Sequence, residues 1–174
     1  MSAPPPDLGA ALEAAIPGVD PSGALLLMRA ARLGRLVELY RSRYAAVDDG
    51  LDLSSSTVLG ALLLLGPPHR LSPTFLSRYV VQTSGGMTKT LRRLQADGLV
   101  TRVPDERDGR VSYVQLTDEG RERASRSLGV ILQEWQGSLR ARGIDVDAAM
   151  ATVTELLAAL EELTGAHLGR DLGV

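Results

Sequence analysis

Residues 72–116 of the chain read SPTFLSRYVVQTSGGMTKTLRRLQADGLVTRVPDERDGRVSYVQL. The dipeptide Ser72-Pro73 at the start predicts a short helix, because a serine cap followed by proline suits the first helical turn. A turn then separates this helix from a second one over about 84–97, where apolar side chains recur every three or four residues. The stretch therefore begins with two helices joined by a tight turn.

After the second helix the hydrophobic period changes from helical to alternating. Leu99–Val103 and Arg110–Leu116 are enriched in Val and Tyr, which favours extended strands. Asp108-Gly109 lies between them, and this pair is typical of tight hairpin turns because both residues tolerate positive φ. The sequence thus predicts helix, turn, helix and β-hairpin in that order, which is the winged variant of the helix-turn-helix.

The second helix has two contrasting faces. At about 100° per residue, Met87, Leu91 and Leu94 fall on one side, which we expect to pack inward. The opposite side is small or basic and carries these residues: Gly85, Thr88, Lys89, Arg92 and Ala96, with Arg93 at its flank. Small side chains would let such a helix approach a DNA major groove closely, where Thr, Lys and Arg can reach base edges. An ordinary charged, solvent-exposed helix face is the competing interpretation.

The predicted hairpin has a charged tip. Arg107 and Arg110 lie close to Asp105 and Asp108 in the sequence. An arginine at the tip of a wing can enter a narrow minor groove, where the negative potential is enhanced, and a neighbouring carboxylate can hold the guanidinium in position. The competing interpretation is a solvated turn whose charges offset one another. The position of the hairpin directly after a helix-turn-helix favours the DNA-binding interpretation.

Charge is distributed unevenly along the chain. The 174 residues carry a net charge of −2, yet residues 69–110 hold eight basic and four acidic side chains, a net charge of +4. Residues 1–68 have a net charge of −2 and residues 111–174 one of −4. A local basic patch matters more for DNA binding than the overall isoelectric point. The basic segment coincides with the predicted helix-turn-helix and hairpin.

Composition limits the class of protein and its compartment. Apolar residues make up 44% of the chain and aromatic residues only 3%, which predicts a folded, mainly α-helical protein with an aliphatic core. No apolar run approaches the roughly 20 residues that span a bilayer, and the N-terminus lacks the pattern of a signal peptide. The absence of cysteine excludes disulfides and a thiol redox sensor. We expect a cytoplasmic protein without a membrane partner.

Helical patterns flank the central unit on both sides. Residues 1–19 are rich in Pro, Ala and Gly and are predicted to form a flexible arm. Helices are expected at about 8–16, 20–46, 54–65, 117–141 and 147–164. Ser54 or Ser55 is the expected N-cap of the very apolar third one, and Thr117 caps the fourth. In the last helix, apolar residues recur at heptad-like spacing: Met150, Val153, Leu157 and Leu160.

Five short motifs carry a resemblance to a known family. They are Ser84-Gly85-Gly86-Met87-Thr88, Leu91-Arg92-Arg93-Leu94, Asp97-Gly98-Leu99-Val100, Asp105-Glu106-Arg107-Asp108-Gly109-Arg110 and Leu116-Thr117-Asp118-Glu119-Gly120. In this order they resemble the MarR family of bacterial transcriptional regulators. The similarity extends over about residues 24–164 and is sharpest over 83–121. The wing motif followed by the Leu-Thr-x-Glu-Gly motif is its most specific part.

The resemblance implies a function and a set of site residues. It implies a homodimer that binds a pseudo-palindromic operator on double-stranded DNA and represses nearby genes until a small-molecule effector binds. The recognition-helix role would fall on Ser84, Gly85, Thr88, Lys89 and Arg92, with the flanking Arg93 beside them. The wing role would fall on Arg107 and Arg110, oriented by Asp105 or Asp108.

The resemblance also divides the chain into functional segments. We expect a mainly α-helical fold with a small β-hairpin, in which dimerisation helices flank the winged helix-turn-helix. The predicted segments are a flexible arm (1–19), an N-terminal dimerisation helix (20–52), the DNA-binding domain (53–116), C-terminal dimerisation helices (117–165) and a tail (166–174). The proline-rich arm and the tail depart from the family pattern.

Other kinds of site find little support in the sequence. Tyr40, Tyr44, Phe75 and Trp135 could line an effector pocket, although ordinary core or interface positions are the favoured explanation. The two histidines, His69 and His167, lack metal-ligand spacing, so we expect neither a metal nor a cofactor. No nucleophile elbow, phosphate loop or dinucleotide fingerprint is present, which argues against an enzyme.

Two alternative functions stay open at this point. The first is a winged-helix module that binds a protein without specific DNA binding, which the overall acidity favours and the basic helix face opposes. The second is a nonspecific architectural DNA binder, which an excess of positive charge over the whole chain would have supported.

Overall fold

The computed structural model describes residues 7–47, 51–65, 67–105 and 112–165, without the side chains of 45–47. Seven helices and three strands lie in these ranges: α1 (Leu8–Ala15), α2 (Pro21–Val47), α3 (Leu53–Leu64), β1 (Arg70–Leu71), α4 (Pro73–Tyr79), α5 (Ser84–Ala96), β2 (Val100–Pro104), β3 (Ser112–Leu116), α6 (Asp118–Ala141) and α7 (Val146–Thr164). They form two compact units, Met1–Arg43 and Tyr44–Val174.

The first unit contains α1 and most of α2. The Asp7 carboxylate caps α1 by accepting the N–H groups of Gly9 and Ala10 at 3.0 and 3.1 Å. A helix therefore occupies part of the predicted flexible arm, close to the short helix expected there. Several large apolar side chains of α2 are exposed: Leu26, Leu27, Met28, Leu33, Leu36, Val37 and Leu39. Burial lowers the pKa of the Arg41 guanidinium, and the nearby Glu38 carboxylate opposes that shift.

The second unit is built around α3, whose apolar residues are distributed around the helix and not confined to one side. Its Val58, Leu59 and Leu62 are at most 1% exposed, as expected for a helix surrounded by other elements. The same core contains apolar side chains from α4, α5, the sheet and the start of α6: Leu76, Met87, Leu91, Leu94, Leu99, Val100, Val114, Leu116 and Ala124. The core therefore lies directly beneath α5 and the hairpin strands.

Side-chain caps define where the helices begin, and one cap differs from the prediction. Asp52, not Ser54 or Ser55, caps α3, because the helix starts at Leu53 and the Asp52 carboxylate accepts the Ser55 N–H at 2.8 Å. Several good capping residues in a row made the sequence signal ambiguous. Ser72 caps α4 and Thr117 caps α6, both as predicted.

The strands form a three-stranded antiparallel sheet in the order β1-β3-β2. The hairpin pairs Val100 with Leu116 at one end and Pro104 with Ser112 at the other, which agrees with the predicted strands. The third strand, β1, was not predicted because its two residues are too few to show a period. The hairpin tip, residues 106–111, lies outside the described residues.

A short junction connects the end of α5 to the start of α6. Gly98, at φ 73°, follows the end of α5. Its carbonyl accepts a hydrogen bond from the Thr117 hydroxyl at 2.8 Å. The Thr117 N–H donates to the Leu99 carbonyl at 3.2 Å. A Cβ added to Gly120 would overlap that same carbonyl oxygen and lie 2.8 Å from its carbon. Only glycine therefore lets α6 approach the chain this closely.

The two C-terminal helices differ in how much of their apolar surface is covered. In α6, Ala124 and Ile131 are buried, whereas Trp135 is 42% exposed. No residue of α7 is buried, and Met150 and Leu157 are 59% and 55% exposed. None of the described helices is long and apolar enough to cross a membrane.

Candidate nucleic-acid interface

Helix α5 is held in a fixed rotation by its apolar side. The Thr83 hydroxyl caps it by accepting the Gly86 N–H at 3.2 Å. Met87, Leu91 and Leu94 are at most 2% exposed, so this side is anchored in the core. Rotation about the helix axis would expose these side chains and is therefore strongly disfavoured. The predicted inward face is confirmed.

The opposite side of α5 is open to solvent. Ser84, Gly85, Thr88, Lys89 and Arg92 are all exposed. Lys89 and Arg92 form no ion pair with any residue that the structure describes. No carboxylate occurs within α5. The structure thus brings the predicted recognition-helix residues onto one accessible, positively charged surface.

The two glycines at the start of α5 have different reasons to be there. A Cβ on Gly86 would lie 3.1 Å from the Thr83 hydroxyl and 3.2 Å from the Gln82 Cγ, so the cap itself favours glycine. A Cβ on Gly85 would meet nothing within 4 Å. Gly85 therefore has no internal packing reason for lacking a side chain, and its exposed backbone is open to close approach by another molecule.

Thr88 has its hydroxyl hydrogen engaged within the helix. The Oγ1 atom donates to the Ser84 carbonyl at 2.9 Å. Its lone pairs remain free to accept a hydrogen bond, while Lys89 and Arg92 can only donate. These three side chains therefore offer one acceptor and two cationic donors within about one helical turn. Major-groove base edges present both of the complementary groups.

Arg93 differs from the other two cations of α5. Its guanidinium forms an ion pair with Asp52, the residue that caps α3. Arg93 stays 48% exposed and Asp52 46%. The sequence placed Arg93 at the flank of the outward face but gave no hint of this partner 41 residues away.

Two arginines of the sheet were missed by the sequence reasoning. Arg102 donates from Nε to the Gln95 side-chain oxygen of α5 at 3.3 Å and from Nη1 to the Ser112 hydroxyl at 3.1 Å. It thereby connects both hairpin strands to the recognition-type helix. The Arg70 guanidinium lies 5.4 Å from the centre of the Tyr113 ring, a cation–π distance. The sequence signal available for both arginines was their place in the basic segment 69–110, which does not reveal their partners.

The predicted wing residues are described only in part. Asp105 is half-buried at the end of β2. Arg107, Asp108 and Arg110 lie outside the described residues. Their proposed role at the wing tip therefore stays a prediction.

The predicted aromatic pocket also stays a prediction. Tyr40 belongs to the first unit, and Tyr44, Phe75 and Trp135 belong to the second. The Phe75 ring stacks on Tyr79 with centroids 6.0 Å apart. A surface groove of about 730 Å³ along the first half of α6 is lined by other residues: Asp118, Arg121, Glu122, Ser125 and Arg126.

Metal-binding groups are not found in the described part of the chain, where no three His, Asp or Glu side chains gather around one point. His69 instead places Nδ1 3.3 Å from the Leu62 carbonyl oxygen. His167 lies outside the described ranges.

The helix-turn-helix is similar to a known protein family. Residues 49–111 match the model of the MarR family. This segment covers α3, β1, α4, α5 and β2, which include the elements that form and support the exposed face of α5.

Two curated proteins match at the sequence level. The transcriptional activatory protein BadR of Rhodopseudomonas palustris is 36% identical over 84 residues, which is 48% of this chain and 48% of BadR. YdgJ of Bacillus subtilis, an uncharacterised HTH-type transcriptional regulator, is 36% identical over 73 residues, 42% of this chain and 44% of YdgJ. The chain thus spans about half the length of the curated relatives it matches.

Solved structures of transcriptional regulators match over more of the chain. A MarR family transcriptional regulator from Streptomyces coelicolor in complex with DNA has a TM-score of 0.66 at 23% identity, over 80% of this chain and 86% of that one. BldR from Sulfolobus solfataricus has a TM-score of 0.68 at 19% identity, over 79% and 96%. A MarR variant from E. coli complexed with operator DNA has a TM-score of 0.60 at 22% identity, over 86% and 96%. The predicted winged helix-turn-helix fold is confirmed.

Proposed function

We propose that this chain is a sequence-specific, DNA-binding transcriptional regulator that inserts α5 into the major groove. The exposed face of α5 is the observation that carries the proposal. It combines an open backbone at Gly85 with Thr88, Lys89 and Arg92, and it contains no carboxylate. A surface with this composition, held rigidly by a buried opposite side, is what direct readout of base edges requires.

Each residue of this face would have a distinct role. Gly85 allows the helix start to approach the base pairs. Thr88 accepts a hydrogen bond from an amino group of adenine or cytosine, because its own hydrogen is engaged. Lys89 and Arg92 donate to guanine, to which arginine can bind through two parallel hydrogen bonds.

The wing would add contacts outside the major groove. Arg107 or Arg110 would enter the neighbouring minor groove, with Asp105 or Asp108 orienting the guanidinium. The bonds from Arg102 to Gln95 and Ser112 support this role, because they connect the hairpin strands to α5. Wing and recognition helix would then approach DNA as one body.

We further propose that the protein acts as a homodimer. The exposed apolar side chains of α7, among them Met150, Val153 and Leu157, form the surface that a second copy would cover. The exposed apolar side chains of α2 would likewise be covered on assembly. A dimer would present two copies of α5 about 34–36 Å apart, matching half-sites one helical turn apart.

The direction of regulation has support on both sides. The notion of a repressor released by a small-molecule effector comes from the resemblance to the family. The name of BadR, a transcriptional activatory protein, favours activation. A reporter gene placed behind the selected binding site would distinguish the two by falling or rising when the protein is supplied. Binding to chromosomal DNA would place the protein in the cytoplasm, and we expect no catalytic activity.

Selection of short random duplexes by the purified chain tests the main proposal. We expect the selected duplexes to share an inverted repeat. The logarithm of the binding constant should fall linearly with the logarithm of the salt concentration, with a slope of about −0.9 per neutralised phosphate. Arg140→Ala, which removes an exposed arginine of α6 outside the helix-turn-helix, is the matched control and should bind like the parent. Recovery of no motif, with binding equal to that of random DNA, would favour the protein-binding alternative.

A further inference from the structure

Among the three cations of α5, only Arg93 has an acidic partner in the described structure. Lys89 lies one helical turn before it and Arg92 directly before it, yet neither forms an ion pair with a residue that the structure describes. An unpaired surface arginine samples many rotamers, and ordering it on a ligand costs conformational entropy. Arg93 has already lost part of that freedom before any ligand arrives.

Its partner Asp52 is itself fixed from several directions. One carboxylate oxygen, Oδ1, accepts the Ser55 N–H at 2.8 Å and caps α3. The other, Oδ2, pairs with the Nη2 atom of Arg93. Leu51, the preceding residue, is 7% exposed and belongs to the core. The carboxylate is thus a rigid anchor, whereas most exposed ion pairs connect two mobile side chains.

The ion pair leaves most of the guanidinium unused. Arginine carries five N–H donors in a planar fork, and Asp52 engages Nη2 alone. Arg93 remains 48% exposed, so its other donors are accessible. Arg93 lies at the flank of the outward face and not at its centre. When α5 occupies the major groove, the part of the DNA within reach of Arg93 is therefore the sugar-phosphate backbone at the edge of that groove.

We propose that Asp52 is a positioning residue that holds the Arg93 guanidinium ready for a phosphate of the DNA backbone. The inference rests on the proposed DNA binding and adds a residue from outside the helix-turn-helix to it. Arg93 then supplies register and affinity, and the base-reading role stays with Thr88, Lys89 and Arg92. Phosphate contacts fix the orientation of a protein on the duplex without reading its sequence.

The proposal predicts that removing the Asp52 charge changes DNA affinity in the direction opposite to that expected from charge repulsion alone. A carboxylate close to DNA repels phosphates, so removing its charge should tighten binding if repulsion were its only influence. If Asp52 positions Arg93, removing the charge should weaken binding, but only while Arg93 is present. The two contributions can be separated because Asn caps a helix as well as Asp does, so Asp52→Asn removes the charge and keeps α3 intact.

A double-mutant cycle on a selected duplex provides the test. We measure binding of the parent, Asp52→Asn, Arg93→Ala and the double variant across a salt series, with thermal melting to verify folding. We expect Arg93→Ala to weaken binding of all duplexes similarly and to lower the salt slope by about one. We expect Asp52→Asn to weaken binding roughly two- to tenfold in the parent and to leave it equal or tighter in the Arg93→Ala background.

A second ion pair supplies the matched control. Asp118 pairs with Arg121 at the start of α6, so Asp118→Asn removes a similar charge from the same unit and should not weaken DNA binding. Tighter binding by Asp52→Asn in the parent, or equal weakening in both backgrounds, would overturn the positioning role while leaving the DNA-binding proposal in place. A parent chain that selects no duplex would overturn the proposed function, and this inference with it.

Discussion

Helices α5 and α7 belong to the same unit and are both amphipathic, yet the apolar side of α5 is buried and that of α7 is exposed. In α5, Met87, Leu91 and Leu94 are at most 2% exposed, and the polar side faces solvent. In α7, Met150 and Leu157 are more than half exposed. The difference is consistent with the proposed function, in which α5 would contact DNA through its charged side and α7 would contact a second copy through its apolar side.

The largest expected effect comes from disrupting the close contact between the start of α6 and the chain that follows α5. Gly120→Ala would force a Cβ into the Leu99 carbonyl, and we expect it to lower the free energy of unfolding by about 3 kcal/mol, at the upper end of overpacking costs. Denaturant unfolding would measure it. Gly129→Ala in the same helix is the control, because a Cβ there meets nothing within 4 Å. It should stabilise slightly, by about 0.5–1 kcal/mol, and equal behaviour of the two variants would contradict the clash.

Removing a cation from the outward face of α5 sharpens the comparison on the DNA side. We expect Arg92→Ala to cost about 1–3 kcal/mol of binding free energy on the selected duplex and to relax the preference at one base pair. Competition binding with single-base variants of the duplex would show this. An unchanged base preference would assign Arg92 to the DNA backbone instead of a base.

Placing a charge on the apolar side of α7 tests the other half of the comparison. We expect Leu157→Glu to weaken self-association by at least about tenfold, roughly 1.4 kcal/mol, because the carboxylate would have to be desolvated at the interface. Sedimentation equilibrium would measure it. Ala159→Glu adds the same charge on the opposite side of α7 and should leave association unchanged. Equal effects would mean that α7 does not associate through its apolar side.

The smallest expected effect concerns the turn before α5. Val81 adopts φ 51° and is 87% exposed. A β-branched residue in this left-handed region is strained, and glycine is favoured there. Val81→Gly should therefore raise the free energy of unfolding by about 0.5–1 kcal/mol. Val80→Gly, at φ −90°, should destabilise instead, and a destabilised Val81→Gly would show that the side chain makes a compensating contact.

Periodic features of the fold could be predicted from the sequence, and contacts between distant residues could not. The inward side of α5 follows from the spacing of Met87, Leu91 and Leu94, which needs no tertiary information. The ion pair of Asp52 with Arg93 joins residues 41 positions apart and leaves no local pattern. The two residues of β1 pair with β3 but are too short to alternate visibly.

The glycines illustrate the same limit at the candidate site. Sequence reasoning placed Gly85 among the small residues that let α5 approach a partner closely, and it gave no separate reason for Gly86. The structure assigns Gly86 a local reason at the Thr83 cap and leaves Gly85 without one. Gly120 could be recognised as part of a motif, but its reason, the Leu99 carbonyl, lies on another element and becomes visible only in three dimensions.

The junction at Leu99 couples the orientation of α6 to that of α5. Because Thr117 bonds to both Gly98 and Leu99, the start of α6 cannot tilt without carrying the end of α5 with it. The 24 residues of α6 span about 36 Å, so a tilt of roughly 5° at the junction corresponds to about 3 Å at the far end. A displacement of a few ångströms at the distant end of α6 would thus change the angle of α5 relative to a bound DNA groove by only a few degrees.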